Sequence, residues 1–268
     1  MRKLLLALGL AASVSAPAMA ADYTDGDTHK NDYKWMQFNI MHTLNEKPGN
    51  NNHTYLEMEF GGRSGIFDLY GYLDVFNLAD KDDSDKSSEK GNSSKLFVKF
   101  APRMSLDGLF QTDLSVGPIK EWYIADYTTI DGQEADGAGY ATKNGIGADV
   151  MVPWFGKVQF NLYKTYDIKA NDWNGYQFST VWFKPLYKFE NNSFIAYQGY
   201  LDYEFDREKT YGHTASGYAM FNGLYWHSDR FAVGYGLKSY RDVYGLRDNV
   251  FAGSTTGFAH YFDVTYKF

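Results

Sequence analysis

The chain contains no cysteine, which excludes disulfides, iron–sulfur clusters, thiol catalysis and the structural zinc sites built on thiolates. Its fold must be held by backbone pairing and packing. An excess of positive charge is also missing: 26 Lys and Arg stand against 33 Asp and Glu, a net of −7. That balance carries no electrostatic footprint for nucleic acid, so DNA and RNA are set aside as partners. After Ala20 no uninterrupted apolar run reaches 18 residues. The chain beyond that point therefore does not cross a membrane as a helix, and only a closed barrel could.

Catalytic signatures are absent too. There is no Gly-x-Ser-x-Gly, His-Glu-x-x-His or Walker A stretch, which removes the common hydrolase and nucleotide-hydrolysis motifs. The six histidines, His29, His42, His53, His213, His227 and His260, are dispersed. His53 and His213 fall in or near connectors, and His260 reads as a satisfied interfacial residue. The acidic run Asp80 to Asp85 begins like a calcium loop. It places Asp85 where the sixth-position Gly is needed and Gly91 where the twelfth-position Glu is needed, so it reads as a solvated loop. No enzyme, metal or cofactor is expected.

What the sequence has in quantity is ring surface: 18% aromatic residues, with 23 Tyr, 20 Phe and 6 Trp in 268 residues. Such a chain has ample material to bury and is neither disordered nor collagen-like. Its length fits two domains or one large barrel. Residues 1–20 carry Arg2 and Lys3, an apolar core from Leu4 to about Val14, and Ala18-Met19-Ala20, the pattern of a secretory signal peptide. A membrane helix needs about 20 apolar residues, and this core has roughly half that. Removal of Arg2 and Lys3 leaves 24 basic against 33 acidic residues, a net of −9 for residues 21–268.

Beyond the leader the dominant signal is alternation at period two, in segments of about ten residues between polar or Gly-rich stretches. Twelve such segments run through 34–44, 55–60, 67–75, 96–100, 121–127, 146–152, 157–168, 173–183, 194–205, 218–227, 231–239 and 258–268. An even number suits a bacterial outer-membrane barrel. The connectors alternate as well. With the amino terminus in the periplasm, the outer set is 45–52, 78–94, 128–144, 169–172, 206–216 and 240–257. The inner set is 61–65, 101–113, 153–156, 184–193 and 228–230. Outer connectors are mostly longer and more polar, as such barrels require. In the last segment Phe258, His260, Phe262, Val264, Tyr266 and Phe268 share one face, and Ala259, Tyr261, Asp263, Thr265 and Lys267 the other. The terminal Phe268 resembles the signal by which the insertion machinery recognises outer-membrane barrels. A secreted β-sandwich would also alternate, but its strands average about 5 to 6 residues and its second face is a dry core that does not hold unpaired charge. The expected fold is an all-β transmembrane antiparallel up-and-down barrel of about 12 strands, occupying residues 21–268 in the outer membrane.

The stretches Thr54-Tyr55-Leu56-Glu57, Phe67-Asp68-Leu69-Tyr70-Gly71-Tyr72, Ala101-Pro102-Arg103-Met104-Ser105 and Thr112 to Tyr123 resemble the nucleoside-specific channel-forming outer-membrane family, Tsx-like. Lys30 to Gln37, Val150 to Lys157 and Trp226 to Gly236 extend the resemblance, more tightly to the vibrio branch of that family, over essentially all of residues 21–268. The resemblance implies a twelve-stranded barrel, nucleoside passage in the better-known branch, and use as a phage receptor.

A nucleoside joins a flat base to a polyhydroxylated sugar, so a channel for it needs rings to stack on and polar groups to take hydroxyls. The inward parity offers Tyr55, Tyr70, Tyr72 and Tyr123 as rings, and Glu57, Glu59, Asp68, Asp74, Lys99, Arg103 and Glu121 as ionisable partners. Each charge taken singly also fits an ion pair that braces the wall. Two roles follow: passive uptake of small polar solutes, nucleosides first, or surface recognition of phage and host ligands by loops 78–94, 128–144 and 240–257 at the lipopolysaccharide surface.

Overall fold

The computed structural model describes residues 21–79, 95–131, 141–168 and 170–268. Residues 1–20, which the sequence pattern reads as a signal peptide, and the acidic run at Asp80 to Asp85 lie outside the described residues, as does most of the connector 78–94. The strand segments are β1 (Tyr33–Glu46), β2 (Asn51–Ser64), β3 (Phe67–Phe76), β4 (Leu96–Phe100), β5 (Arg103–Ser105), β6 (Ile119–Asp131), β7 (Ala141–Val152), β8 (Gly156–Asp167), β9 (Asp172–Lys188), β10 (Phe194–Phe205), β11 (Gly217–His227), β12 (Phe231–Arg241) and β13 (Gly257–Lys267). All neighbours pair antiparallel, in chain order. First and last strands pair through Gln37 to Leu44 and Lys267 to His260, which closes the sheet.

β4 and β5 both lie between β3 and β6, so they are halves of one staves-like barrel strand and the closed barrel has twelve positions. The break falls at Ala101-Pro102, where Pro has no N–H to give the ladder. Its neighbours keep the seam shut: the Ala101 N–H reaches the Tyr70 carbonyl at 2.8 Å, and the Asp126 N–H the Pro102 carbonyl at 2.9 Å. The sequence pattern places residues 101–113 wholly in a connector. Instead Arg103–Ser105 returns to the wall, and α1 (Leu106–Phe110), capped by the Ser105 hydroxyl, leaves it.

Parity is as the alternation requires. On β13, Phe258, Phe262, Val264 and Tyr266 are 39–60% exposed, whereas Ala259, Tyr261, Asp263, Thr265 and Lys267 are at most 4% exposed. Val264 lies in register between Ile40 and Val233, all three half exposed on the outside. An apolar exterior around a charged interior is the inverse of a soluble sandwich and the form a bilayer selects. His260, on this outer face, is bonded to the Tyr235 hydroxyl at 2.7 Å.

Several strands run further than the alternation shows. Thr128 to Asp131 and Ala141 to Asn144 are strand, so the outer connector read as 128–144 shrinks to 132–140, outside the described residues. β1 and β2 leave only residues 47–50 between them, which puts His53 on the wall, 3% exposed and 3.4 Å from Glu46. β9 likewise absorbs Lys184 to Lys188. Fourteen residues at about 3.4 Å each and a tilt near 40° rise roughly 36 Å, more than the ~25 Å apolar band. The strand ends thus meet polar surroundings on both faces, and the hydropathy alternation vanishes there while the ladder continues.

Candidate functional site

Taking the short turns as periplasmic, the lumen at that end is crossed by a network of ion pairs. Arg63 grips Glu121 with Nη1 at 3.0 Å from Oε1 and Nη2 at 3.2 Å from Oε2, and its Nη2 reaches the Tyr123 hydroxyl at 2.7 Å. Arg103 pairs with Asp68 and, at 2.8 Å, with Asp149, while its guanidinium lies 3.9 Å over the Tyr123 ring. Lys157 adds a second partner for Asp149 at 3.1 Å. Four sequence candidates, Asp68, Arg103, Glu121 and Tyr123, are therefore brought together, but with their hydrogen-bonding capacity spent on one another across β2, β3, β5, β6 and β7. Buried charges persist in this form because each is paired. Arg63, Asp149 and Lys157 complete the network and were not among the sequence candidates.

The amino-terminal stretch docks on the same end. Tyr23, 2% exposed, donates its hydroxyl hydrogen to the Gly65 carbonyl at 3.2 Å and accepts from Arg63 at 3.2 Å; burial pushes the phenol up from its ordinary value. Asp32 accepts from the Gly65 N–H at 2.7 Å. On the exposed side Lys30 bridges Asp22 and Asp25 at 2.9 and 2.7 Å, which holds both carboxyls below their usual range.

Mid-lumen is different in kind. The Asn39 amide donates to Glu57 at 2.5 Å and Glu59 at 3.1 Å, Gln37 donates to Glu59 at 2.6 Å, and the Tyr70 hydroxyl to Glu59 at 2.8 Å. Among the described residues no lysine or arginine reaches Glu57 or Glu59 within 4 Å. Asp74 sits directly across from Glu57 in the β2–β3 register. Tyr55 stacks on Phe76 with centroids 4.7 Å apart, and Tyr72 on Phe97 at 6.0 Å. The Lys99 ammonium stands among the rings of Tyr70, Tyr72, Tyr127 and Tyr200.

Glycines shape the β11–β12 wall. A Cβ at Gly234 would lie 2.2 Å from Tyr225 Cδ1, and one at Gly236 2.2 Å from the Phe221 ring. Both rings therefore lie flat against bare backbone, a close approach that only glycine permits. Phe221 stacks beside Tyr200 at 6.0 Å and meets Tyr261 edge-on at 5.5 Å, and Tyr261 bonds to Tyr240 at 2.8 Å. None of Tyr127, Tyr200, Phe221, Tyr225, Tyr240 or Tyr261 was among the sequence candidates. The signal that finds them is the same inward parity, applied to β6 and β10–β13.

A closed twelve-position barrel with an apolar exterior and a lumen lined by rings and charge defines the class of outer-membrane channels. A family model described as nucleoside-specific channel-forming protein, Tsx, matches residues 30–268. Over the full length of both chains the protein is 62% identical to outer membrane protein OmpK of Vibrio parahaemolyticus serotype O3:K6. It is 28% identical, again over all of both chains, to nucleoside-specific channel-forming protein Tsx of Klebsiella pneumoniae. Among solved structures, the NanC porin aligns with a TM-score of 0.48 at 7% identity, covering 87% of this chain and 98% of the porin. The chain belongs to the Tsx family of channel-forming proteins, and it is a multi-pass protein of the outer membrane.

Proposed function

We propose that the lumen is a passive route for nucleosides. The observation that carries this reading is the mid-lumen pairing of flat ring surfaces, Tyr225 and Phe221 on their glycines, with hydrogen-bonding groups free of ion pairs at Glu57, Glu59, Asn39 and Gln37. Rings accept any base by stacking, and carboxylates and amides take ribose hydroxyls. Tyr55, Tyr70, Tyr72, Asp74 and Lys99 belong to this zone, whereas Asp68, Arg103, Glu121 and Tyr123 brace the wall beneath it. Purified protein in liposomes should admit nucleosides faster than sugars of similar size. Equal rates would make it a general pore, and absence of flux would remove transport. Such a route involves no covalent step, and the protein acts as a channel and not as an enzyme.

Surface recognition is a second reading, favoured by one observation at the outer rim. The β10–β11 and β12–β13 connectors are tied together by the Thr214 N–H to Gly245 carbonyl bond at 2.8 Å and the Arg247 N–H to Gly212 carbonyl bond at 2.9 Å. They present Tyr211 and Phe251, 77% and 68% exposed, as a ring pair 5.9 Å apart. An aromatic knob on a rigid scaffold suits docking by phage. Replacing both rings by Ser should lower phage adsorption and leave solute flux intact. Assembly precedes either role. Phe268, packed on Phe38 and Tyr266 at 5.5 and 5.1 Å, is the proposed contact for the insertion machinery.

A further inference from the structure

Lys99 projects from β4, and its ammonium lies 4.3 Å from the ring centroid of Tyr127, 5.7 Å from Tyr72, 5.8 Å from Tyr200 and 5.9 Å from Tyr70. Tyr200 stands on β10. Counting round the barrel, β10 is five positions from β4 through β6, β7, β8 and β9, and seven the other way. A side chain that meets a ring so nearly opposite its own strand forms a bar across the pore.

The bar is charged. Among the described residues no carboxylate lies within 4 Å of the Lys99 ammonium, which the ring faces hold by cation–π attraction. The charges in its wider field are Asp202, Lys143, Lys238 and Glu57. Asp202 is occupied by Ser179 and Gln177, at 2.5 and 3.2 Å. Lys143 is spent on Glu204 at 3.1 Å. Lys238 sits over the rings of Tyr200, Tyr240 and Tyr261. Lys99 thus has no carboxylate in direct contact with its ammonium, on a side chain that reaches across the lumen to a ring of β10. A charge in that position attracts anions, repels cations and limits the cross-section.

We propose that Lys99 is the constriction residue of this channel and its charge filter, held in place by the four tyrosines. The proposal rests on the channel reading above and adds the residue that sets its bore and ionic preference.

Planar-bilayer recording in a potassium chloride gradient tests it, with folding checked by heat-modifiable gel mobility. Lys99→Met keeps the bulk and removes the charge, so its reversal potential should move toward cation permeability with conductance little changed. Lys99→Ala should raise single-channel conductance by about twofold or more, since both bulk and charge leave the constriction. Lys99→Arg should restore the reversal potential. Should Lys99→Ala be misfolded, Lys99→Met and Lys99→Arg still decide the charge question. A conducting wild type whose variants keep the same conductance and reversal potential overturns the proposal and leaves the channel reading standing. No conductance from any folded form overturns the channel reading and the proposal with it.

Discussion

Arg63 on β2 and Glu121 on β6 close a two-point ion pair across two intervening barrel positions, side chains 6% and 2% exposed. Strands that are not neighbours are joined here by side chains alone, while Tyr23 from the amino-terminal stretch rests on the same guanidinium. Removing one partner leaves the other charge buried, which costs about 3–5 kcal/mol, whereas an apolar pair of similar volume is often neutral. Glu121→Leu alone should therefore lower resistance to urea in detergent by that order. Arg63→Met with Glu121→Leu should recover most of it. Equal loss in single and double variants would mean that the pair does not act as a unit.

Val264 and Thr265 are adjacent in sequence and face opposite solvents. Val264 is 51% exposed on the outside between Ile40 and Val233, and Thr265 is 2% exposed inside, donating to Asp263 at 3.2 Å. Arg at 264 would place a charge in mid-bilayer hydrocarbon at about 2–4 kcal/mol. Lys at 265 meets the Asp263 carboxylate and should cost much less. Unfolding titrations of the two variants measure the difference, and equal losses would contradict the parity.

The amino-terminal anchor carries a pH dependence. His29 lies 2.9 Å from Asp32, whose hydrogen bond and charge push the imidazole above its ordinary 6.5 and hold the Asp32 carboxyl below its ordinary 3.8. A raised histidine contributes stability below 6.5 and loses it as pH rises through its folded value. A lowered carboxyl contributes above 3.8 and loses that as pH falls through its own. The contact is thus fully formed between those limits. Proton NMR titration should show the His29 midpoint above 6.5, returning toward it in Asp32→Asn. Protease cleavage within residues 21–32 should be slower at pH 5.5 than at pH 8.5. A midpoint that does not move in Asp32→Asn would break the assignment.

The barrel is legible because a bilayer forces apolar and polar residues to alternate over its own thickness: on β13 Phe262, Val264 and Tyr266 face outward and Asp263, Thr265 and Lys267 inward, while Ala259 and His260 depart from the pattern. Legibility failed where that force ends. Ala141 to Asn144 and Lys184 to Lys188 continue strands past the apolar band, and Arg103–Ser105 resumes one after a proline. Inward-pointing residues could be named from parity, so Glu57, Glu59, Tyr70, Tyr72 and Lys99 were within reach. Their grouping was not. Whether an inward carboxylate braces the wall, as Glu121 does on Arg63 three barrel positions away, or stands among donors of the adjacent strands, as Glu59 does beside Gln37, Asn39 and Tyr70, depends on which side chains the closed barrel brings together. Alternation carries no information about partners across a lumen.

Glycine is the clearest case of a lumen feature that reads as an absence. Gly236 on β12 contributes no side chain, yet its bare backbone lets Phe221 lie flat, and a Cβ there would stand 2.2 Å from that ring. Gly236→Val would drive Phe221 off the wall and toward Tyr200 and Tyr261, its present neighbours at 6.0 and 5.5 Å. Overpacking of this kind costs about 1–3 kcal/mol, which a closed sheet of hydrogen-bonded strands should survive. The displaced ring has only the lumen to enter. Single-channel conductance of Gly236→Val should fall below the wild type while heat-modifiable mobility is kept. Leu237→Val, a substitution of the adjacent residue on the outer face, should leave conductance unchanged. If both variants conduct as the wild type does, Phe221 does not border the solute path, and the ring-lined wall is packing alone.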